Sequence, residues 1–409
     1  MNHGQSFALG LLALVVAGCV DDPAAPEPVE GPITLAAAIA QSGRHAALGT
    51  EVARGYHLAV DIINENGGIR GRQLQLVLHD DASDPATSAR LYAEFVTSDT
   101  IDAFLGPYSS PITEAVLAVT EPAGIPLVAP AASAPALWAG RERQWSAQLL
   151  NPAPSYLKGS VDVAALVGAR TVALVWEETA FPASVAEGVR DAVRMHGLDI
   201  VLDESYGVGG ADHEALAAAA RDAGAALFIG GGYATDAIEF TRAAGAVGYR
   251  PRLMSLNVGP AESYFIDEVG AAGRCVAGNA PWNPAVSTSG FVSDGQTMVQ
   301  RYRAAYGGTP AYHAAAGYGA VELLAEAMDE AIADTGDADR AAVRDFLFTA
   351  ETGTVLGPYS VHPVGDPQAG VQRALTGLQI QWQDDGAGGL AQRIIHPWAV
   401  ADAAPCRMN

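Results

Sequence analysis

Regular alternation of short apolar strands with longer amphipathic helices constrains this chain more than any other feature of its sequence. From Ile33, ITLAAAIA reads as a strand. The next stretch, TEVARGYHLAVDIINENGG, carries Val52, Tyr56, Ala59, Val60 and Ile63 on one helical face and stops at Gly67 and Gly68. RQLQLVLHDD alternates Leu74, Leu76 and Leu78 with strand period, and DPATSARLYAEFVTSD opens on Asp84 as N-cap with Pro85 at the first helical position. IDAFLG, PITEAVLAVTEPAG and IPLVAP continue as strand, helix and strand. The alternation restarts at Thr171–Glu178 (TVALVWEE) and runs through to RLMSLN. A late helix, AAAGYGAVELLAEAMDEAIAD, precedes TGLQIQW, which reads as the final strand. Such order gives parallel sheets with helices on both faces. Two runs flank a segment near Ala139–Val161 with little periodicity, so the expected class is α/β, with two doubly wound parallel-sheet lobes.

The 409 residues suffice for two cores, and 49% apolar against 17% charged residues describes a globular chain. A formal charge of −23 argues against a nucleic-acid partner, which needs a basic face, and against electrostatic docking on anionic lipid.

The stretches SGRHAALGTEVARGYHLAVDIINENGGIRGRQLQLVLHDDASDP, FLGPYSS, GIPLVAPAASAPAL, FIGGGY and AAGYGAVELLAEAM resemble the type I periplasmic solute-binding proteins, in the leucine/isoleucine/valine-binding branch that serves ABC importers. The resemblance runs from about Ile33 to Trp398. It implies a three-segment hinge with crossings near Leu149, Ala280 and Gly353. The N-terminal lobe would then be residues 33–149 plus 281–353, and the C-terminal lobe 150–280 plus 354–409. It also implies a monomer that closes on a small-molecule ligand and presents it to an ABC permease, with no cofactor. The same fold serving as a sensor or protein-interaction lipoprotein is the alternative.

Residues 1–19 read as a targeting segment. Phe7–Gly18 is too short to span a bilayer and suits a signal sequence. VVAGC resembles the lipobox of bacterial lipoproteins, in which Cys19 is lipidated, although MNHGQS lacks the usual Lys or Arg. Residues 20–32, rich in proline and acid, read as a semi-extended tether of roughly 35–40 Å. The folded part is thus expected outside the cytoplasmic membrane, held by a lipid anchor. In that oxidising setting Cys275 and Cys406 can pair; two free thiols are the alternative.

Ligands of parallel sheets sit beyond the carboxyl ends of strands, where helix starts offer unpaired N–H groups and partial positive charge. Ser110 precedes Pro111 at such a start, and Ser133 precedes a helix expected near Pro135. Both serines also suit N-caps. The resemblance assigns Ser110 and Ser133 to a ligand carboxylate, with a backbone contact from Ala131. It places Phe181 and Tyr233 over the solute from the opposite lobe, and Leu48, Tyr108 and Tyr312 in the first-lobe pocket. Where amino-acid binders hold the α-ammonium with a carboxylate, this chain has Asn257. An amide supplies no countercharge, and a buried unpaired ammonium is costly. Either Glu177, Glu178 or Asp236 replaces it, or the ligand carries a carboxylate or amide without an ammonium.

HDD (His79–Asp81) lacks companions at metal-ligand spacing, so no metal site is expected. Neither a G-x-S-x-G elbow, H-E-x-x-H, a P-loop nor a dinucleotide fingerprint is present, so no catalytic residue is assigned and the expectation is a binder rather than an enzyme.

Overall fold

The computed structural model describes Met1 and residues 31–408. The targeting segment beyond Met1, Cys19 and the tether through Glu30 lie outside the described residues. The first sheet is built from β1 (Ile33–Ile39), β2 (Leu74–Asp80), β3 (Ala103–Leu105), β4 (Leu127–Ala129) and β5 (Ser146–Gln148), in the order β2-β1-β3-β4-β5 with every pairing parallel. Its crossover helices are α1 (Ala46–Glu65), α2 (Pro85–Val96) and α3 (Ser110–Ala123). β1 is buried along its whole length, which is why ITLAAAI is apolar at both faces. Asp84 caps α2 by accepting from Thr87 N–H at 2.7 Å, with Pro85 just inside.

The second sheet follows with α4 (Lys158–Val167), β6 (Thr171–Glu177), α5 (Ala180–His196), β7 (Asp199–Tyr206), α6 (His213–Asp222), β8 (Leu227–Gly231), α7 (Ala234–Ala246), β9 (Leu253–Leu256), α8 (Phe265–Val269) and β10 (Val276–Ala280). The chain then returns to the first sheet's helices as α9 (Gly295–Tyr306), α10 (Tyr312–Thr335) and α11 (Arg340–Thr349). A short hairpin of β11 (Thr352–Thr354) and β12 (Gly357–Tyr359) precedes β13 (Leu378–Asp384) and β14 (Leu390–His396). The second sheet has the order β14-β13-β10-β9-β8-β6-β7.

This sheet is not wholly parallel. β13 pairs antiparallel with β10, and β14, a strand beyond the expected last one, pairs antiparallel with β13. The Asp385–Gly389 turn makes this hairpin possible: Asp385 Oδ1 accepts from the N–H groups of Ala387 and Gly389. The last passage between sheets also falls later than Gly353. Gln148 N donates to Gly370 O, and Gln372 Nε2 to Leu149 O, so the chain stays beside β5 through Gln372 and joins the second sheet at Leu378. The short edge strand β5 needs those partners for its open backbone groups.

α1 and α10 cross almost backbone to backbone. A Cβ on Gly55 would lie 2.1 Å from Ala314 O, and one on Gly317 2.1 Å from Val52 O. Only glycine permits that approach, and it seats the first turn of α10 beside the strand ends of the first sheet. α10 is buried from Tyr312 through Ala325, with the imidazole of His313 and the carboxyl of Glu322 enclosed along it.

Candidate functional site

β3 ends at Leu105, and the loop beyond it runs beside the loop after β4 through a parallel bridge between Tyr108 and Ala131. Ser109 has φ +86 and ψ 149, backbone that a residue with a Cβ adopts at a cost on the order of 1–3 kcal/mol. Its buried hydroxyl has no partner. Ser110, the next residue, accepts through Oγ from the N–H groups of Ser133 and Ala134, each at 3.2 Å. Its own hydroxyl proton is therefore free to be donated elsewhere. Ser133 Oγ and the Tyr156 hydroxyl share a 2.7 Å hydrogen bond.

Neither serine acts as a side-chain N-cap in its own loop. The start of α3 has no side-chain cap bond, and the helix expected after Ser133 is a single 3₁₀ turn, Pro135–Leu137. Trp138 ends that turn by folding back into the core, where its indole N–H donates to Ser146 O.

Around the serines the two sheets supply an aromatic wall. Tyr108, Ser109, Ser110, Ala131, Ser133 and Tyr312 come from the first sheet's side, and Tyr156, Phe181, Tyr233 and Val258 from the second's. They line a narrow, tightly closed pocket with a free volume of ≈ 10 Å³. Phe181 meets Tyr156 edge-on at 5.2 Å and Tyr233 at 5.9 Å. It lies within the first turn of α5, which begins at Ala180. Burial pushes the phenols of Tyr108, Tyr156, Tyr233 and Tyr312 upward, so they stay neutral hydrogen-bonding groups.

Two sequence candidates stand apart from this wall. Leu48 lines a neighbouring chamber of ≈ 400 Å³ at the mouth, together with Arg44, His45, Glu177, Asp236 and Tyr264. Asn257 is buried and lines neither space: its N–H donates to Gly230 O, while its side-chain Oδ1 has no partner. Tyr233 borders both spaces. His45 separates them, its ring 5.2 Å from Tyr108 and 4.8 Å from Tyr233. Burial, and then the adjacent Arg44 charge, pull His45 down to about 4, so the ring is neutral at ordinary pH.

The acids considered as countercharges are committed. Glu177 accepts from Arg44 at 2.7 Å and from Thr179 Oγ1 at 3.0 Å. Glu178 accepts from Ser205 Oγ at the surface. Asp236 accepts from Tyr233 N–H at 2.9 Å and pairs with His213 at 3.3 Å. Burial raises Asp236, but those partners win and hold it below the usual carboxylate range.

Three residues that the sequence did not single out line these spaces, Tyr156, Arg44 and His313, and a fourth, Glu262, bonds to His313. Tyr156 lies in the aperiodic segment, where nothing distinguishes it. His313 follows Tyr312 in α10, and both line the pocket. Among the described residues no group of three potential metal-ligating side chains is assembled.

A cleft between two α/β sheets, with hydroxyls and N–H groups converging at strand ends, defines a solute-binding protein. Residues 32–387 match the family model described as periplasmic binding protein, and the chain belongs to that family, in its type I Leu/Ile/Val-binding branch. The Leu/Ile/Val-binding protein homolog 7 of Brucella abortus (strain 2308) is 27% identical over 357 residues, covering 82% of this chain and 85% of the relative. Homolog 8 from the same strain is 31% identical over 219 residues, 51% of this chain and 54% of the relative. Among solved structures, the branched-chain amino acid transporter substrate-binding protein LivJ from Streptococcus pneumoniae, in complex with isoleucine, superposes with TM-score 0.74 at 23% identity, covering 90% of this chain and all of that one. A solute-binding protein of an ABC transporter from Rhodopseudomonas palustris BisB5, in complex with 3,4-dihydroxybenzoic acid, gives 0.75 at 18% identity, covering 88% and 95%.

Proposed function

We propose that this protein is the extracytoplasmic, monomeric solute-binding lipoprotein of an ABC importer, held to a bacterial membrane through lipid on Cys19. The lobes, divided by passages after β5, after β10 and before β13, close over a small acid and present the closed form to a permease. The solute's carboxylate rests on the hydroxyls of Ser110 and Ser133 and the N–H groups at the start of α3, and its body is covered by Phe181, Tyr233 and Tyr312.

One observation carries the choice of ligand class. Each acid named as a substitute for the absent ammonium-binding carboxylate already has a partner: Arg44, Ser205 or His213. A zwitterion drawing its countercharge from any of these three acids would have to break that acid's pair. A monocarboxylate without an ammonium meets no such cost, and the aromatic wall suits a flat or branched apolar body. The dihydroxybenzoate-bound neighbour supports the capacity of this fold to seat an aromatic acid.

Calorimetric titration with leucine, its keto acid 4-methyl-2-oxopentanoate and benzoate tests the reading. The acids without an ammonium should bind more tightly than leucine, and Ser110→Ala with Ser133→Ala should weaken them at least tenfold. Micromolar binding of leucine alone refutes the ligand class, and an unchanged dissociation constant in the double serine variant refutes the site.

A further inference from the structure

The aromatic pocket has a second polar wall, away from the serines. His313, in the first turn of α10, lies with its ring 3.9 Å from that of Tyr312 and 5.3 Å from that of Tyr108. Its Nδ1 is 2.6 Å from Glu262 Oε1, and the two side chains are 2% and 1% exposed. Glu262 belongs to the loop after β9, so the pair joins a helix of the first sheet to a loop of the second. The other carboxylate oxygen, Oε2, is buried with no partner.

Cohesion alone is a poor reason for this pair. Taking an ionisable couple out of water is costly, and well-packed apolar side chains would hold the elements together at least as well. The chemistry suits recognition better. With Nδ1 committed to the carboxylate, the ring's orientation is fixed and Nε2 is the nitrogen left for the pocket that His313 lines. In the tautomer that gives Nδ1–H to the carboxylate, Nε2 accepts hydrogen bonds on the pocket side.

We propose that the Glu262–His313 pair is a second anchor for the solute, reading a hydrogen-bond donor, a hydroxyl or an N–H, that the ligand carries away from its carboxylate. This deepens the reading of the serine end as the carboxylate seat and rests on it. A site built around buried acceptors discriminates strongly against an analogue lacking the donor, because those acceptors would then be left unpaired.

The test compares two matched pairs by calorimetry: 4-hydroxybenzoate with benzoate, and 5-hydroxypentanoate with pentanoate. In the unsubstituted protein the donor-bearing member of a pair that binds should be favoured by roughly 30-fold or more. In the double variant Glu262→Gln/His313→Phe, which leaves no buried charge unpaired, that ratio should fall to about threefold or less. Ser110→Ala should instead weaken both members alike and keep the ratio. If the double variant does not fold, His313→Gln removes Nε2 from the pocket while retaining a partner for Glu262, and gives the same readout. A ratio near one in the unsubstituted protein, or a ratio surviving in the folded variant, overturns the inference. Unchanged affinities in Ser110→Ala alongside an intact ratio would overturn the serine seat while sustaining the role of the pair. Silence from all four acids overturns both readings.

Discussion

The guanidinium of Arg44 meets the carboxylate of Glu177 at 2.7 Å across the mouth of the cleft, the arginine in the loop after β1 and the glutamate at the end of β6. The glutamate side chain is 1% exposed, whereas the arginine is 38% exposed and lies over the Tyr233 ring at 5.2 Å from its centroid. The two partners therefore contribute unequally. Removing the arginine strands a buried charge; removing both leaves only a solvated gap.

Arg44→Ala is accordingly expected to destabilise the closed protein by about 1–3 kcal/mol, below the usual loss for a fully buried pair because solvent already screens the guanidinium. Adding Glu177→Gln should restore at least half of that. Urea unfolding of the two single variants and the double variant closes the cycle. Strictly additive losses would remove the ion pair from any role in holding the mouth shut.

His45 gives a pH signature. Its folded value of about 4 lies below the ordinary 6.5 because the ring is buried and Arg44 is adjacent. As pH falls from 6.5 toward 4, the unfolded chain takes up this proton before the folded one. Stability from the neutral ring is thus complete above 6.5 and lost progressively down to about 4, by up to roughly 3 kcal/mol. His45→Phe keeps a ring between Tyr108 and Tyr233 but cannot titrate, so its unfolding midpoint should fall less between pH 7 and pH 4. Parallel pH profiles for the two proteins would show that His45 does not govern acid sensitivity.

Much of this arrangement was legible in the sequence, and the exceptions have physical causes. Strand period in RQLQLVLHDD and the Asp84–Pro85 start are local signals, and β2 and α2 follow them closely. That Ser110 and Ser133 stand just beyond strand ends was legible from the apolar runs that stop before them. What Ser110 bonds to was not, since its partners are N–H groups 23 and 24 residues away. β14 escaped because LAQRIIH is half polar and its place depends on pairing with β13. Glu262 and His313 lie 51 residues apart, and no periodicity joins them.

Glu322 titrates with the opposite sign to His45. It sits on α10 and accepts from Val292 N–H and Val355 N–H at 2.8 Å each and from Ser293 N–H at 3.4 Å, tying down the loop before α9 and the turn of the β11–β12 hairpin. Burial nevertheless lifts it to about 7, because those bonds only partly offset the loss of water. A carboxyl whose folded value lies above its ordinary 4.5 contributes stability that is complete below 4.5 and lost as pH rises through 7. Glu322→Gln should therefore be less stable than the unsubstituted protein at pH 4.5, with the gap narrowing by roughly 3 kcal/mol by pH 8. Denaturant midpoints at the two pH values measure this, and a gap independent of pH would show that the side chain does not change its protonation in that window.

The disulfide between Cys275 and Cys406 fastens the C-terminal tail to the second sheet, with the two Cα atoms 5.6 Å apart and 131 residues between them in sequence. The tail does not depend on the bond alone. Gln381 of β13 donates through Nε2 to the carbonyls of Cys275 and Cys406 at 2.9 and 3.0 Å, and its Oε1 accepts from Cys406 N–H at 2.8 Å. A loop of this length would contribute about 5 kcal/mol if restriction of the unfolded chain were the whole effect. Measured disulfide contributions commonly fall short of that limit, so Cys275→Ser/Cys406→Ser should lose about 2–4 kcal/mol, read as a lower denaturant midpoint. Neither cysteine borders the serine pocket, so ligand affinity at saturating folded protein should be unchanged. If the double serine variant unfolds at the same midpoint as the oxidised protein, Gln381 and the packing of the tail hold it without the covalent bond. A lost affinity would instead mean that the tail and the cleft are mechanically coupled.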